Sequence, residues 1–277
     1  MGGGGVIERA REVACQYGRH GAFEVLLGWG GCDGGEAGNL LLGDVGKDDG
    51  GRAAQRGRAP IVRALLAVGG VDVNEATTGG GTPLFRASQE GHGEMVRELL
   101  AVDGVCVNLA TGRGATPLYI ASQGGHGNVV RLLLAVDGVA VNQAIGNGST
   151  PLYEASACGH GDVVRLLLSA EGVCVNQPRG DGCTPLYIAS QVGHVDVVRA
   201  LLSAAGVGVN EATGDGLTPL LIASKEGHRE VVRELAVAGV DRSIVFRGYT
   251  ALTIAKEEGH QAIVALLEER QPSANDV

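Results

Sequence analysis

The sequence contains few aromatic residues, although it is rich in apolar ones. Phe, Trp and Tyr make up 3% of the 277 residues, whereas hydrophobic residues make up 44% and Gly alone occurs 47 times. Few bulky side chains are therefore available to fill a single thick core. A composition dominated by Ala, Val and Leu instead favours thin helices that pack closely against one another.

Long hydrophobic runs and an excess of positive charge are also missing. Every apolar stretch is interrupted by charge within about a dozen residues, which argues against a membrane-spanning helix and a signal peptide. The 22 Lys and Arg are outnumbered by 31 Asp and Glu, giving a formal net charge of −9. That charge disfavours nucleic acid, which needs Lys and Arg to displace phosphate counterions, and an anionic membrane. We expect a cytoplasmic protein, with the nucleus as the alternative.

The same phrase returns at regular intervals along the chain. Thr-Pro-Leu begins at Thr82 and recurs four more times, each copy 34 residues after the last, and Thr250-Ala251-Leu252 follows after 32. Gly-His dipeptides recur in step, from Gly91-His92 to Gly259-His260. A fixed period in this range is the signature of a solenoid of stacked repeats.

The repeat that begins at Thr116 predicts two helices and a loop. Thr116 is a good N-cap, and Pro117 suits the first helical position because no backbone hydrogen bond is lost there. Gly125 is expected to end this first helix in a left-handed conformation. A second helix follows, with Val130 and Leu133 in its apolar stripe, and a Gly-rich finger leads to the next repeat. One unit cannot bury its apolar faces alone, so the sequence predicts an all-α repeat solenoid.

The residues that recur are Thr-Pro-Leu-Tyr, Ala-Ser, Gly-His, Val-Val, Leu-Leu-Leu and Val-Asn. This pattern resembles the ankyrin repeat over residues 82–268, extends to residue 53, and reaches residue 14 in weaker form. Two features depart from the family's pattern. The segment AVDGV lengthens the usual period by one residue. The first His of the family signature is replaced by Phe85, Tyr119, Tyr153, Tyr187, Leu221 and Thr253.

The resemblance and the repeat spacing predict three regions. Residues 1–52 are expected to form a degenerate N-terminal repeat or cap with a flexible Gly-rich insert. The ankyrin repeat domain is expected over residues 53–268, and residues 269–277 are expected to form a disordered tail. Within the domain, a partial repeat at 53–81 precedes repeats that begin near residues 82, 116, 150, 184, 218 and 250.

One His stands in each repeat, at His92, His126, His160, His194, His228 and His260. Metal ligands must converge on one ion, and residues one repeat apart in a solenoid lie too far from each other to share it. We therefore expect no metal site, no cofactor and no catalytic residue. The resemblance implies that each His ties the turn between two helices to neighbouring backbone. A structural role is also expected for the capping residues Thr82, Thr116, Thr150, Thr184 and Thr218.

Two further columns of residues could bind nucleic acid but also have structural interpretations. The aromatic column, Phe85, Tyr119, Tyr153 and Tyr187, could stack bases, yet we expect it to pack between repeats. An arginine column on the second helices could follow a phosphate backbone. Acidic residues precede it by three positions, however, which is the spacing of helix-surface ion pairs, at Glu94, Asp162, Asp196 and Glu230. We interpret this column as a solvated face.

The six cysteines include no CxxC pair. Cys106 and Cys174 occupy the same slot of two repeats, where other repeats carry Ala140 or Gly208. We interpret them as small buried residues in a reducing compartment rather than as a disulfide framework or a zinc site.

The resemblance implies a surface that binds a protein, formed on a concave face by finger tips and the exposed ends of the first helices. In this chain those slots change from copy to copy, whereas framework slots hardly change. An acidic trend toward the C-terminal repeats predicts basic character in the partner. The candidate partner-binding residues are Gln89, Glu90, Arg113, Gln123, Asn147, Asp181, Gln191, Asp215, Lys225, Glu226 and Arg247.

These features predict a monomeric, non-enzymatic protein–protein interaction module that takes no small-molecule substrate. Two alternatives remain open. The chain could be a targeting or adaptor subunit, or a fragment, of a larger enzyme or signalling protein. Nucleic-acid binding through the aromatic or arginine column is the other.

Overall fold

The computed structural model describes residues 72–76 and 80–269. The predicted N-terminal repeat at 1–52, most of the partial repeat at 53–81, and the predicted tail from residue 270 onward lie outside the described residues. The regular elements in the described part are twelve α-helices, which fall into two compact units that divide between Ala140 and Val141.

The first unit contains two helix pairs. They are α1 (Pro83–Gln89), α2 (Gly93–Leu100), α3 (Pro117–Gln123) and α4 (Gly127–Leu134). The first helices α1 and α3 pack against each other, as do the second helices α2 and α4, and each first helix packs against its own second helix.

The second unit contains four helix pairs of the same kind. Its first helices are α5 (Pro151–Ala157), α7 (Pro185–Val192), α9 (Pro219–Glu226) and α11 (Ala251–Glu257). Its second helices are α6 (Gly161–Leu168), α8 (Val195–Leu202), α10 (Arg229–Val237) and α12 (Gln261–Glu268). First helices pack in one layer and second helices in another, so the predicted all-α repeat fold is confirmed.

Five of the six described first helices begin where Thr and Pro occur together. The Thr116 Oγ1 accepts a hydrogen bond from the Tyr119 N–H at 3.1 Å, and Pro117 is the first helical residue. The last repeat lacks the proline and uses a reciprocal cap instead. There the Thr250 N–H donates to Thr253 Oγ1 at 2.7 Å, and the Thr253 N–H donates to Thr250 Oγ1 at 3.3 Å. Both arrangements satisfy amide groups that a helix start would leave unpaired.

Burial follows the repeated apolar phrase. In α4, Val129, Val130 and Leu133 are fully buried, and the matching positions of α2, α6, α8 and α10 are buried too. In the last helix, α12, Ile263 and Val264 are buried, whereas Leu267 is partly exposed. Burying each such side chain contributes about 1.5–3 kcal/mol. The aromatic column is also buried, with Tyr119 4% and Tyr153 2% exposed, as expected of side chains that pack inside the repeats. Its ring faces are therefore not available for stacking bases.

The fingers end in tight turns of two kinds. In the finger before α3, the Thr111 N–H donates to the Ala115 carbonyl at 2.9 Å around a three-residue loop, with Gly114 in the left-handed region at φ 87°. The finger before α11 is shorter. Its two loop residues, Arg247 and Gly248, both have positive φ, 50° and 89°, which is the type I′ hairpin geometry.

Candidate protein-binding surface

The repeat histidines connect neighbouring repeats within each unit. The side chain of His126 does not cap α4, although His126 is the N-cap residue. Its Nε2 instead lies 2.9 Å from the carbonyl oxygen of Gln89 in the preceding repeat. Nε2 of His194, His228 and His260 makes the same contact with the carbonyls of Ala157, Gln191 and Lys225, at 3.1, 2.9 and 2.9 Å.

Two features require glycine at Gly91, Gly159, Gly193 and Gly227, each of which precedes a repeat His. Gly193 has φ 88°, a conformation that side chains rarely adopt. It also lies against the His of the following repeat, because a Cβ on Gly193 would be 2.6 Å from His228 Nδ1. The same close approach occurs between Gly91 and His126, at 2.5 Å. The Gly-His phrase is thus a contact between consecutive repeats.

A second connection runs through the Asn that ends each Val-Asn segment. The Asn176 side chain donates to the Gly206 carbonyl at 2.7 Å and accepts from the Gly208 N–H at 2.9 Å. Asn74, Asn108 and Asn142 make the same two bonds to the next repeat within their units. The Asn is part of the recurring Val-Asn phrase, but the sequence predicts no role for it because its hydrogen-bond partners lie 30 and 32 residues away.

Six of the eleven candidate partner-binding residues lie where a first helix meets the following turn. Glu90, Gln123, Lys225 and Glu226 are exposed there, and Gln89 and Gln191 are half-buried. Val192, next to Gln191, exposes 45% of its surface. The carbonyl groups of Gln89, Gln191 and Lys225 make the His contacts described above. The side chains of Lys225 and Glu226, in contrast, form no ion pair within the described parts of the chain.

The other five candidates lie in the finger turns, and all are exposed: Arg113, Asn147, Asp181, Asp215 and Arg247. Two of them also hold the turn. Asn147 Oδ1 accepts from the Ser149 N–H at 2.9 Å, and Asp181 Oδ1 accepts from the Cys183 N–H at 3.1 Å. Neighbouring fingers are linked by single backbone bonds, Gly180 N–H to the Asn147 carbonyl at 2.9 Å and Gly214 N–H to the Asp181 carbonyl at 3.2 Å.

Arg179 lies in a small polar cluster with Asp181, Cys183 and the Tyr153 ring. Its Nε donates to Asp181 Oδ2 at 3.1 Å, and its guanidinium carbon lies 5.4 Å from the centroid of the Tyr153 ring. The hydrogen bond from Arg179 lowers the pKa of Asp181 to about 2. Burial, together with a hydrogen bond to Asp181, raises the pKa of the Cys183 thiol to about 11. Asp181 is therefore ionised at neutral pH, and Cys183 remains a thiol.

The arginine column on the second helices forms ion pairs at three of the four predicted positions. Arg165 pairs with Asp162, Arg199 with Asp196 at 3.3 Å, and Arg233 with Glu230. Arg199 also reaches Glu234 of the next repeat at 2.8 Å. Across residues 72–76 and 80–269, Glu94 and Arg97 do not form the expected fourth pair. The interpretation of this column as a solvated, paired face holds for the last three pairs.

The expectation that Cys106 and Cys174 are buried is wrong. Both are exposed, as is Cys158, and Cys183 is partly exposed. The reason is their position in the linker between the second helix and the finger, where Asn74 and Asn142 bind the cysteine backbone and leave the side chain outside the helix layers. The four cysteines of the described region are free thiols.

Two properties of the described residues bear on other kinds of site. None of their helices is both long enough and apolar enough to cross a membrane. In the same residues, no three or more His, Cys, Asp or Glu side chains come together in a group that could hold a metal ion.

Known proteins that are similar to this chain are built from the same kind of repeat. The family model described as "Ankyrin repeats (3 copies)" matches three overlapping stretches, residues 51–144, 136–213 and 200–276. A search of the curated proteins finds no match. The crystal structure of the human ASB11 ankyrin repeat domain is similar, with 32% sequence identity and a TM-score of 0.66, over 80% of this chain and 98% of that one. The crystal structure of EF0377, an ankyrin repeat protein, has 25% identity and a TM-score of 0.64, over 71% of this chain and 100% of that one.

Proposed function

Because this chain belongs to the ankyrin repeat family, whose domains are protein–protein interaction modules, we propose that it binds a protein partner through its variable exposed slots. These slots are the finger turns and the turns that follow the first helices. The family resemblance assigns them to a concave face. The proposed role is non-enzymatic, and the partner is a protein in the cytoplasm or nucleus.

The observation that carries this proposal is the contrast between buried and exposed slots. Leu118, Leu152, Leu186 and Leu220 occupy the same buried slot of successive first helices. The slot pair before the glycine turn instead reads Gln-Gly, Ala-Cys, Gln-Val, Lys-Glu and Glu-Glu from the repeat at 116 to the last. Packing constrains the first kind of slot and leaves the second free to serve recognition.

The experiment is quantitative affinity capture from native lysate with a charge-reversed variant. Asp215→Lys, Lys225→Glu and Glu226→Lys together change exposed side chains that form no ion pair in the described region. A matched control, Asp137→Lys, Arg131→Glu and Glu171→Lys, makes the same net charge change at second helices and the linkers that follow them.

We expect the first variant to lose specific partner proteins while its circular dichroism spectrum and melting temperature stay close to those of the wild type. The control is expected to retain the same proteins. Equal capture by the wild type and the first variant would contradict the assignment of binding to these slots.

A further inference from the structure

The sequence contains a single Asn-Gly dipeptide, Asn147-Gly148, and it lies in an exposed finger turn. Asn is among the residues that are lost chemically with time and temperature. In an Asn-Gly dipeptide the backbone nitrogen of the Gly can attack the Asn side-chain carbonyl carbon, because the Gly has no side chain to hinder the approach. Every other Asn in the sequence is followed by a residue that has a side chain. Asn147 is therefore the Asn at which this attack is least hindered.

The reaction at this dipeptide requires only water. The Gly148 nitrogen loses its proton and forms a bond to Asn147 Cγ, and the side-chain nitrogen of Asn147 leaves as ammonia. The product is a five-membered cyclic imide with two carbonyl carbons. Water adds to one of these carbons and opens the ring, which gives aspartate or isoaspartate at position 147. No oxidant or reductant takes part, since no electrons are transferred between molecules.

The folded finger holds the attacking nitrogen. The Gly148 N–H donates to the Ile145 carbonyl oxygen at 2.8 Å, and the Ile145 N–H donates to the Ser149 carbonyl oxygen at 3.0 Å. An N–H group that donates a hydrogen bond loses its proton less readily than a free one, because the bond is lost with the proton. The closed turn therefore opposes the first step of the reaction.

Asn147 itself is held through both its side chain and its backbone. Its Oδ1 accepts a hydrogen bond at 2.9 Å from the N–H of Ser149, which is fully buried. Its backbone carbonyl oxygen accepts from the Gly180 N–H of the next finger, also at 2.9 Å. Closing the five-membered ring moves the side chain and the peptide unit that follows it, so both hydrogen bonds are disturbed. The neighbouring finger thus helps to keep Asn147 unreactive.

The finger turn accepts one of the two products. In the next finger the same slot is Asp181, whose Oδ1 accepts from the Cys183 N–H at 3.1 Å as Asn147 Oδ1 accepts from the Ser149 N–H. Aspartate at position 147 therefore fits the turn and adds one negative charge to it. Isoaspartate instead inserts a methylene group into the main chain, so the hydrogen bond that closes the turn no longer fits.

We propose that Asn147 is a deamidation site and that its finger turn controls the rate of the reaction. Turns open locally at a lower cost in free energy than the packed helices, and the reaction proceeds from the opened turn. The site does not depend on the proposed function. Its product nevertheless changes one of the variable exposed slots from a neutral amide to a carboxylate.

The test measures the loss of the amide at each Asn of the full-length protein by peptide mass spectrometry. The native chain and the chain unfolded in guanidinium chloride are incubated at the same mildly alkaline pH and the same temperature. Replacing the amide by a carboxyl group raises the mass of the peptide, and chromatography separates the aspartate product from the isoaspartate product.

Two matched variants isolate the contribution of the neighbouring finger. Gly180→Pro removes the N–H that binds the Asn147 carbonyl at 2.9 Å. The control Gly214→Pro removes the N–H that binds the Asp181 carbonyl at 3.2 Å, one finger further along the chain. Both glycines are the second residue of a turn closed by a hydrogen bond between its first and fourth residues, a position that proline favours.

In the unfolded chain we expect Asn147 to lose its amide faster than any other Asn. In the native chain the same residue should react at least about tenfold more slowly than in the unfolded chain. Gly180→Pro should raise the native rate at Asn147 about two- to tenfold, which is the effect of losing one hydrogen bond. Gly214→Pro should leave that rate within about twofold of the wild type.

Three results would overturn the inference. Faster deamidation of another Asn in the unfolded chain would show that Asn147 is not the site. Equal rates at Asn147 in the native and unfolded chains would show that the turn does not control the reaction. Equal native rates in Gly180→Pro and Gly214→Pro would exclude the neighbouring finger from that control. The first two comparisons use the wild type alone, so they decide the question even where a variant does not fold.

Discussion

The contact between Gly193 and His228 allows a matched test of how the repeats are held together. Gly193 and Gly206 both have a left-handed backbone, with φ of 88° and 76°. A Cβ on Gly193 would lie 2.6 Å from His228 Nδ1, whereas a Cβ on Gly206 would meet nothing within 4 Å. Alanine at either position therefore brings the same backbone strain, but only Gly193→Ala displaces the ring.

The expected magnitude follows from these two contributions. A left-handed conformation costs an L-residue about 1–2 kcal/mol, and this cost is common to both variants. Displacing the His228 ring also breaks its 2.9 Å hydrogen bond to the Gln191 carbonyl. The lost hydrogen bond costs about 0.5–1.5 kcal/mol, and overpacking costs about 1–3 kcal/mol. Gly193→Ala should thus lower the free energy of unfolding by about 1.5–4.5 kcal/mol more than Gly206→Ala.

Urea denaturation followed by far-ultraviolet circular dichroism measures this difference. The two variants are compared with the wild type at the same pH and salt concentration. If Gly193→Ala and Gly206→Ala are equally destabilised, the glycine before each His is required only for its backbone conformation. The contact between consecutive repeats would then contribute nothing measurable, and this explanation of the Gly-His phrase would be refuted.

Three further predictions concern single side chains. Asn176→Ala should lower the free energy of unfolding by about 1–3 kcal/mol in the same urea assay, because it loses hydrogen bonds of 2.7 and 2.9 Å to the next repeat. An unchanged urea midpoint of unfolding would contradict the role of that Asn. The pKa of Asp181 is lowered to about 2, so the carboxylate should stabilise the wild type relative to Asp181→Asn at its full value above about pH 4. This difference in the free energy of unfolding should vanish as the pH falls through about 2. A difference that does not depend on pH would refute the Arg179–Asp181 pairing. Exposed Cys174 should react with a disulfide reagent at pH 8 faster than Cys183, because the pKa of Cys183 is raised to about 11. The variants Cys174→Ser and Cys183→Ser identify which thiol reacts at which rate. Equal rates would contradict the structure.

The repeat period and the capping residues made the helices predictable from the sequence. Thr-Pro fixes where a first helix begins, because the hydroxyl group and the ring act within one turn of chain. The burial of Tyr119 and Tyr153 could also be predicted, since a column of aromatic residues in an acidic chain lacks the cations that a nucleic-acid site needs. All of these arguments use residues close in sequence or properties common to every copy.

The exposure of Cys106 and Cys174 could not be predicted in this way. Their slot alternates with Ala and Gly, which is also what a buried slot would show. The deciding contact is the hydrogen bond from their backbone to an Asn 32 residues earlier. The Arg179–Asp181 pair likewise depends on how a finger folds over the preceding helices, and repeat spacing does not specify that geometry.

The measurement that tests the central claim most directly is hydrogen exchange of the full chain, alone and bound to a partner identified by lysate capture. The account predicts slower exchange in the finger turns and in the turns after the first helices, above all around Asp215 and Lys225. The second helices, with Arg165 and Arg199 on their exposed faces, should be unaffected. Protection confined to the second helices would show that binding occurs on the paired, solvated face and would contradict the account.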